Sequence, residues 1–307
     1  MTSRQQQRAL PESIVVTGGN GRIGRLVVAD LRARGCRVIS LARSHGAEPR
    51  ADDISIDLTD SQRLAEIVAQ SGATEVLHLA AAQRGDEVEA TNERIDLAVA
   101  SAASGLERVV LASSAAVYGA GAADARSEDS ALDGTSPYAR SKQRSERIFA
   151  DLVDQRRVAS VLALRIFNVA GPEFPDSLVQ RLIRAVAAEP VQLTEPDRFI
   201  RDYLHQDDLV ALLRASLTVA SPGYRVVNLG AGVAVSTRML LNSIQPRPDS
   251  FVVAPGPMSS SWADVSEMRT LFGIQPRTMP DRGWDRSAAT MVSAAGAPRT
   301  AARGEPK

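Results

Sequence analysis

The sequence predicts an α/β protein: a doubly wound parallel sheet with a smaller carboxy-terminal lobe. Three observations predict it. Short apolar runs without a helical period alternate with segments whose apolar residues recur at helical spacing. A glycine-rich turn joins the first apolar run to the first helical segment. After Gly171-Pro172 the alternation becomes irregular, which indicates a smaller lobe at the carboxyl edge of the sheet.

Composition and charge are those of an ordinary globular protein. The chain has 307 residues, 44% of them hydrophobic, which is enough for one large α/β domain or for such a domain with a lobe. Lys plus Arg and Asp plus Glu both number 36, so no net charge favours binding to nucleic acid or to a membrane. With one cysteine and three scattered histidines, we expect no disulfide and no metal site. We expect a cytoplasmic protein with Cys36 as a small core residue.

Residues 13–24 predict a strand, a tight turn and a helix in direct succession. Ile14 to Val16 are apolar without a helical period, and glycines end the run. Without side chains at Gly18, Gly21 and Gly24, the chain can turn sharply and a pyrophosphate can approach the backbone. The N–H groups and the partial positive charge of the helix N-terminus would face that anion. The segment therefore predicts dinucleotide binding; the alternative is a simple turn between a strand and a helix.

The second strand is predicted from Cys36 to Leu41, and Ala42, Arg43 and Ser44 follow it. In a dinucleotide-binding fold this end faces the adenosine ribose, where a carboxylate accepts from the 2′-hydroxyl and an arginine accommodates a 2′-phosphate. No acidic residue occurs here. We therefore expect NADP to be preferred to NAD, with Arg43 binding the phosphate; the alternative is a solvated surface arginine.

Three more strands end at positions of interest. The third, Ile54 to Asp57, places Asp57 at the carboxyl end, where parallel sheets bind ligands. The fourth, Val76 to Leu79, is followed by Ala80 to Ala82, whose small side chains would let a nicotinamide or a ribose lie on the backbone, or would serve close helix packing. The fifth begins at Arg108 and ends in Ser113-Ser114.

A helix is predicted to begin at Pro137 with Ser136 as its N-cap. Tyr138 and Lys142 are four residues apart and so share one face of this helix. That spacing occurs by chance in many surface helices, so it does not by itself indicate catalysis.

The rest of the chain divides less regularly. Further elements are predicted as a strand at Val161–Phe167, a helix at Asp176–Ala188, strands near Val191 and Tyr203, a helix at Asp207–Leu217 and a strand at Tyr224–Leu229. We expect a flexible N-terminus at 1–12, a dinucleotide-binding domain with the catalytic residues at 13–172, a substrate-binding lobe interleaved with the core at 173–292, and a flexible tail at 293–307.

Seven motifs occur in one order along the chain. They are Thr17-Gly-Gly-Asn-Gly-Arg-Ile-Gly24, Asp57-Leu58, His78-Leu-Ala-Ala81, Ser113-Ser-Ala-Ala-Val-Tyr-Gly119, Tyr138-x-x-x-Lys142, Arg165-Ile-Phe-Asn-Val-Ala-Gly-Pro172 and Arg201-Asp-Tyr-Leu-His-Gln-Asp-Asp-Leu209. Over roughly residues 13–290 they resemble the extended short-chain dehydrogenases/reductases, and among these the NAD-dependent epimerase/dehydratase family that modifies nucleotide sugars. The resemblance implies a Rossmann-type fold and a homodimer.

The resemblance also implies roles for individual residues. Ser114, Tyr138 and Lys142 would form the catalytic set, with Ser114 touching the substrate. Asn168 and Arg201 would hold the substrate diphosphate, and Asp57 would contact the adenine. Together with the glycine turn and Arg43, this gives the expected cofactor contacts: Gly18, Asn20, Gly21, Arg22, Ile23, Gly24, Arg43, Asp57, Leu58, Leu79, Ala80, Ala81, Tyr138 and Lys142.

Departures from the family pattern narrow the expected reaction. Sugar 4,6-dehydratases of this family usually carry Asp-Glu where this chain has Ala115-Ala116, so we do not expect dehydration. The arginine that usually precedes the Trp262-Ala263-Asp264 run is missing, which removes one expected phosphate contact. The Asn-x-x-Gly-Thr pattern is altered around Asn92, so the resemblance assigns no role to that residue.

The expected function is an NAD(P)-dependent oxidoreductase acting on a nucleotide-activated sugar, with a 4-ketoreductase of a keto-deoxysugar favoured. The Lys142 ammonium would favour the phenolate form of Tyr138 and bind the nicotinamide ribose, while Ser114 would donate to the carbonyl oxygen. Alternatives are a 4-epimerase that retains NAD, a reductase of a non-nucleotide carbonyl, and a cofactor-sensing protein without turnover. The helix of Tyr138 and the helix predicted at Glu89–Ser104 could form a four-helix dimer contact, or could pack within one chain.

Overall fold

A computed structural model describes residues 8–121 and 123–279. The first part contains β1 (Ser13–Thr17), α1 (Arg22–Ala33), β2 (Arg37–Ala42), β3 (Asp53–Ser55), α2 (Ser61–Ser71), β4 (Glu75–His78), α3 (Val88–Ala102), β5 (Arg108–Ser114), α4 (Pro137–Asp154) and β6 (Ser160–Ile166). The second part contains β7 (Asn168–Ala170), α5 (Leu178–Ile183), β8 (Val191–Thr194), β9 (Phe199–Arg201), β10 (Tyr203–His205), α6 (Gln206–Ser216), β11 (Gly223–Leu229), β12 (Val235–Ser236), α7 (Thr237–Ile244), β13 (Phe251–Ala254), β14 (Ser259–Ser261) and α8 (Ser266–Phe272).

Seven strands form the central sheet in the order β3-β2-β1-β4-β5-β6-β11. Every neighbouring pair is parallel. The chain moves outward from β1 to β3 and then returns to place β4 on the other side of β1. This reversal of strand order leaves a crevice beyond the carboxyl ends of β1 and β4. The predicted doubly wound parallel sheet is confirmed.

Apolar layers cover both faces of this sheet. In β1, Ile14 and Val16 lie in one buried cluster with residues of α1 and α6, while Val15 lies in the other with residues of α2, α3 and α4. Successive side chains of a strand point to opposite faces. A strand that is buried on both faces is therefore apolar at every position, which explains the apolar run in the sequence.

The smaller lobe follows β6 and consists of short pairings. β7 pairs with β10, β9 lies between β12 and β14, and β8 pairs with β13. A third buried cluster, which includes Val179, Leu193, Tyr203 and Leu240, holds these pieces together. The chain returns from this lobe to the central sheet through α6 and β11, so the two parts interleave.

The helix predicted at Asp176–Ala188 is shorter in the structure. The Ser177 hydroxyl caps α5 by accepting from the backbone N–H of Gln180, so Asp176 lies outside the helix. At the other end a bridge between Val186 and Glu189 closes a tight turn where the helix was expected to continue. The strand β9 was not predicted at all.

The termini are described only in part. Of the expected flexible N-terminus, residues 1–7 lie outside the described residues. Arg8 lies against the amino edge of the sheet, where its backbone N–H donates to Thr218 O at 2.6 Å and its guanidinium binds buried Glu75 at 2.7 Å. The expected tail at 293–307 lies wholly outside the described residues. Within the described ranges, no helix combines the length and the apolarity needed to cross a bilayer.

Candidate active site

The turn between β1 and α1 requires glycine for steric reasons. Gly18 has φ +69°, and a Cβ there would lie 2.8 Å from the backbone nitrogen of Ala80. A Cβ at Gly24 would lie 2.1 Å from the carbonyl oxygen of Gly18. Both contacts are too short for any side chain, so the turn packs backbone against backbone as the sequence predicts.

The first turn of α1 contains no acidic residue of its own. The N-cap of the helix, Gly21, supplies no side-chain acceptor. The positive end of the helix dipole is therefore not neutralised by the helix's own side chains. Together with the bare glycine backbone, this arrangement fits the pyrophosphate of a dinucleotide.

Side chains of the turn fix the segments around it. Asn20 Nδ2 donates to Ser44 O at 2.8 Å, which ties the turn to the segment after β2. Arg22 binds Asp176 at 2.6 Å, which ties the loop before α5 to the first residue of α1. Ile23 is half-buried and packs against the core. Of these three side chains, Arg22 is exposed and Asn20 is partly exposed.

Arg43 and Asp57 lie at the same edge of the sheet because β2 and β3 pair in parallel next to β1. Both side chains are exposed. The Asp57 carboxylate accepts from the backbone N–H of Thr59 at 2.9 Å and from its hydroxyl at 2.8 Å. These hydrogen bonds lower the pKa of Asp57, and the charges of Arg94 and Arg43 add to the lowering. Leu58, by contrast, is buried in the apolar layer.

The segment after β4 lies against the glycine turn. Leu79, Ala80 and Ala81 are each partly exposed at the carboxyl edge of the sheet. The Thr17 hydroxyl accepts from the backbone N–H groups of Leu79 and Ala80 at 3.2 and 3.3 Å. The structure thus brings the predicted cofactor contacts of this segment next to those of the turn.

The three predicted catalytic residues belong to β5 and α4, which pack together. Ser114 is half-buried at the end of β5, and its Oγ accepts from the backbone N–H of Ala116 at 3.2 Å. Lys142 is only 3% exposed, and its ammonium donates to Ala112 O at 2.8 Å. Since Ala112 and Ser114 are two positions apart on β5, the ammonium and the serine lie at the same end of that strand.

Donors remain available at this site. Tyr138 is half-buried in the first turn of α4, and within the described residues its hydroxyl has no hydrogen-bond partner. The Lys142 ammonium has three N–H donors, of which Ala112 O takes one. Two N–H donors of Lys142 and the Tyr138 hydroxyl are therefore available to form hydrogen bonds with a ligand.

A buried ion pair, which was not predicted from the sequence, holds α4 against the sheet. Glu146 accepts from Arg165 at 2.9 and 2.8 Å, and Ser113 donates to the same carboxylate. Burial alone would lower the pKa of Arg165, but its hydrogen bonds and the negative charge of Glu146 raise it overall. The sequence spacing could have indicated that Glu146 faces the sheet, because Glu146 follows Lys142 by four residues and lies on the same face of the helix.

Asn92, to which the family resemblance assigns no role, joins α3 to the site. It is 2% exposed, accepts from Ala82 N at 2.7 Å and donates to Ala82 O at 2.9 Å. It also donates to Ser141 Oγ at 2.9 Å, and Ser141 donates to Tyr138 O at 2.8 Å. The altered residues after Asn92 in the sequence concealed this role.

The predicted substrate residues lie in the lobe, close to one another. Asn168 is exposed, and its Nδ2 donates to Asp202 O at 3.0 Å, next to Arg201 in the chain. The Arg201 guanidinium stacks on Phe199, 4.0 Å from the ring centroid, and donates to Ser259 Oγ at 2.7 Å. Burial lowers the pKa of Arg201. Within residues 8–121 and 123–279, no group of three or more His, Cys, Asp or Glu side chains could hold a metal ion.

Curated relatives resemble the chain over most of its length. The UDP-glucose 4-epimerase of Neisseria meningitidis serogroup C is 29% identical, over 86% of this chain and 92% of that protein. A dTDP-6-deoxy-L-talose 4-dehydrogenase (NAD(P)(+)) of Kitasatospora kifunensis is also 29% identical, over 87% of this chain and 92% of that protein.

A solved structure and a family model also resemble this chain over most of its length. The structure of MoeE5 in complex with UDP-glucose and NAD is 29% identical, covers 92% of this chain and 100% of its own, and superposes with a TM-score of 0.76. The model of the NAD-dependent epimerase/dehydratase family matches residues 14–230. The match includes the glycine turn, β5 and the Tyr138 helix, which are the segments that carry the sequence resemblance. The chain therefore belongs to the NAD-dependent epimerase/dehydratase family.

Proposed function

We propose that this protein is an NAD(P)-dependent oxidoreductase of a nucleotide-activated sugar, and that it acts as a 4-ketoreductase of a keto-deoxysugar. The observation that carries the proposal is the end of β2, where Leu41 and Ala42 are buried and Arg43 is exposed beside the glycine turn. Residues 41–44, which end β2, include no carboxylate that could accept from a ribose 2′-hydroxyl or repel a 2′-phosphate. This favours NADPH, and therefore a net reduction in which the cofactor is exchanged at each turnover.

The catalytic residues would act on the oxygen of the sugar carbonyl. A bound nicotinamide supplies hydride transfer. Tyr138 gives its proton to the carbonyl oxygen, so its own O–H bond breaks as the O–H bond of the alcohol forms. Lys142, with two donors remaining, binds a cofactor ribose hydroxyl and stabilises the resulting phenolate by its charge. Ser114 donates to the same carbonyl oxygen as negative charge develops on it.

Two observations support reduction at C4. The name of the Kitasatospora relative describes oxidation of a dTDP-deoxysugar at C4 with NAD(P)+, and the reverse of that reaction is a 4-ketoreduction. Ala115 and Ala116 follow Ser114 in a short 3-10 helix and carry no acid or base for eliminating water. These two positions therefore lack the Asp-Glu pair that sugar 4,6-dehydratases of the family usually carry there.

A 4-epimerase is the second candidate. The relatives named UDP-glucose 4-epimerase favour it, and Ser114, Tyr138 and Lys142 would serve it equally well. An epimerase oxidises C4 and then returns the hydride to the other face of the same sugar. It would therefore hold NAD through the whole cycle and consume none.

Cofactor retention separates the two candidates. The purified full chain is assayed for bound nucleotide, and then for NADPH and NADH oxidation with dTDP- and UDP-linked 4-keto-6-deoxyhexoses. We expect NADPH oxidation with a product alcohol, and a KM for NADPH that rises in Arg43→Ala while the KM for NADH does not. Tightly retained NAD with interconversion of 4-epimers and no net oxidation would establish the epimerase instead.

A tyrosine pair provides the control for catalysis. Tyr138→Phe should lower kcat by about 100-fold or more, the usual contribution of a positioned acid. Tyr224→Phe alters another partly buried tyrosine, in β11, and should leave kcat unchanged. Full biological activity of the Tyr138→Phe protein would point to cofactor sensing.

If no nucleoside diphosphate raises the melting temperature, the substrate is a non-nucleotide carbonyl.

A further inference from the structure

A chain of buried polar side chains runs beneath the candidate site. His78 and Asp96 are 1% and 2% exposed. His78 Nδ1 lies 2.6 Å from Thr17 Oγ1, and His78 Nε2 lies 2.9 Å from Asp96 Oδ1. Ser145 donates to the other oxygen of Asp96. These four side chains, which we call the His78–Asp96 network, connect β1, β4, α3 and α4.

The Asp96 carboxylate determines which nitrogen of His78 carries a proton. A carboxylate can only accept, so His78 Nε2, at 2.9 Å, carries a hydrogen and donates it to Asp96. The Thr17 hydroxyl accepts from Ala80 N and shares the N–H of Leu79 with the Thr17 carbonyl oxygen. Its own hydrogen can therefore be donated to His78 Nδ1, 2.6 Å away.

Asp96 is the acceptor at the centre of the His78–Asp96 network, with His78 on one side and Ser145 on the other. Besides fixing the Nε2–H of His78, its carboxylate accepts from the Ser145 hydroxyl, whose one hydrogen has Ser141 O, at 3.0 Å, as the competing acceptor. One end of the network holds the backbone of Leu79 and Ala80. The other end is Ser145, which lies on α4 three residues after Lys142.

We propose that Asp96 is a positioning residue, whose buried carboxylate fixes the backbone of residues 79–81 relative to the Tyr138–Lys142 helix. The proposal rests on the proposed function, in which residues 79–81 carry the cofactor and α4 carries the proton donor. Asp96 itself touches neither ligand. Misplacement of reacting groups by about 1 Å can cost about 100-fold in rate, so such a residue acts on kcat more than on binding.

Histidine NMR tests the protonation that the proposal requires, without any substrate. The chain has three histidines, so the imidazole nitrogens of the full-length protein labelled with 15N-histidine give few signals. We expect one ring with a proton on Nε2, assigned to His78 by its loss in His78→Gln. A His78 ring protonated on Nδ1 alone would overturn the proposal.

Two serines test the positioning role. Ser145→Ala removes the link from Asp96 to α4 but leaves the His78–Asp96 contact. We expect kcat to fall about tenfold, with the Kd for cofactor changed less than about twofold. Ser216→Ala is the matched control, because Ser216 is also fully buried in a helix and bonds only to its own helix, at Leu213 O. It should change neither quantity.

The Asp96 variants complete the test. Asn keeps an acceptor for His78 Nε2–H, so Asp96→Asn should retain more kcat than Asp96→Ala and should keep the Nε2–H ring. The proposal fails if Ser145→Ala and Ser216→Ala have equal kcat values, or if Ser145→Ala weakens cofactor binding as much as it slows turnover. If Asp96→Ala does not fold, the Ser145 pair still decides. A wild-type protein that turns over no sugar substrate refutes the proposed function, while the NMR outcome still tests the proton arrangement.

Discussion

The ammonium of Lys142 keeps unused hydrogen-bond donors although the side chain is buried. Burying a charge without partners is costly, and Lys142 is almost fully buried. Ala112 O takes one of its protons, which lowers that cost and aims the group at the end of β5. The remaining donors have no such partner, and we infer that a cofactor ribose and Tyr138 complete the set.

Cys36, the single cysteine, should be unreactive in the folded protein. Its Sγ donates to Pro11 O at 2.9 Å, and burial raises the pKa of the thiol to about 11, with the charge of Glu75 adding to the rise. At pH 8 only about one thiol in a thousand is then the reactive thiolate. Iodoacetamide should label native Cys36 about 100-fold more slowly than the protein unfolded in guanidinium, and the native rate should rise between pH 8 and pH 10. Mass spectrometry measures both rates; equal rates would contradict the burial of Cys36.

For individual residues, the sequence predicts which side chains are candidates for catalysis, but not which buried side chains they or their neighbours contact. Tyr138 and Lys142 share a face by spacing alone, so their proximity follows from the helix. His78 and Asp96 come from different elements, and their contact depends on how α3 packs on β4. No local pattern specifies such a contact, and α3 buries Asp96 while it exposes the adjacent Leu97.

Among the elements, those buried in the central sheet were the most predictable. The N-cap of α4 is a clear case: Ser136 Oγ accepts from Ala139 N at 3.1 Å, as the Ser-Pro start of the helix predicts. The lobe was less predictable because its strands are short and half-buried. β9 has three residues and exists through pairing with β12 and β14, far along the chain. Such pairing leaves no periodic signal in the sequence.

Two ion pairs that hold elements in place should differ strongly in their contribution to stability. Glu146→Gln leaves the Arg165 guanidinium buried without its counter-charge, and breaking a buried pair costs about 3 kcal/mol. Asp176→Asn removes an exposed pair with Arg22, which water and salt already screen, so the free energy of unfolding should hardly change. Urea unfolding of both variants measures the difference. Equal losses would mean that α4 does not depend on the Glu146–Arg165 pair.

For the whole molecule, the lobe and the central sheet meet at one buried carboxylate. Asp202 lies between β9 and β10, and it accepts from Ala231 N and Gly232 N, just beyond β11, at 2.7 and 2.9 Å. It also accepts from Ala263 N at 3.2 Å. Burial raises the pKa of Asp202 to about 6, although these N–H donors favour the charged form. We infer that Asp202 keeps Arg201, the adjacent residue, at a fixed place relative to the sheet.

The assembly of two chains can be predicted from the flank formed by α3 and α4. Glu89 pairs with Arg140 across these helices, and a second Glu–Arg pair lies one turn further on, so the charges of this face are already neutralised. Leu97, on the same face of the protein, is 53% exposed. A neutralised face with an exposed leucine can be buried against its own copy at little electrostatic cost.

Light scattering after size exclusion tests this assembly. We expect about twice the 32.7 kDa of one chain. Leu97→Asp should reduce the mass to that of a single chain, because it places an unpaired charge in the contact. Val252→Asp is the control: Val252 is 42% exposed on β13 of the lobe, away from α3 and α4, and its substitution should leave the dimer intact. A wild-type mass of one chain would show that α3 and α4 pack only within the monomer. A dimer that withstands Leu97→Asp but dissociates in Val252→Asp would place the contact between the chains on another surface.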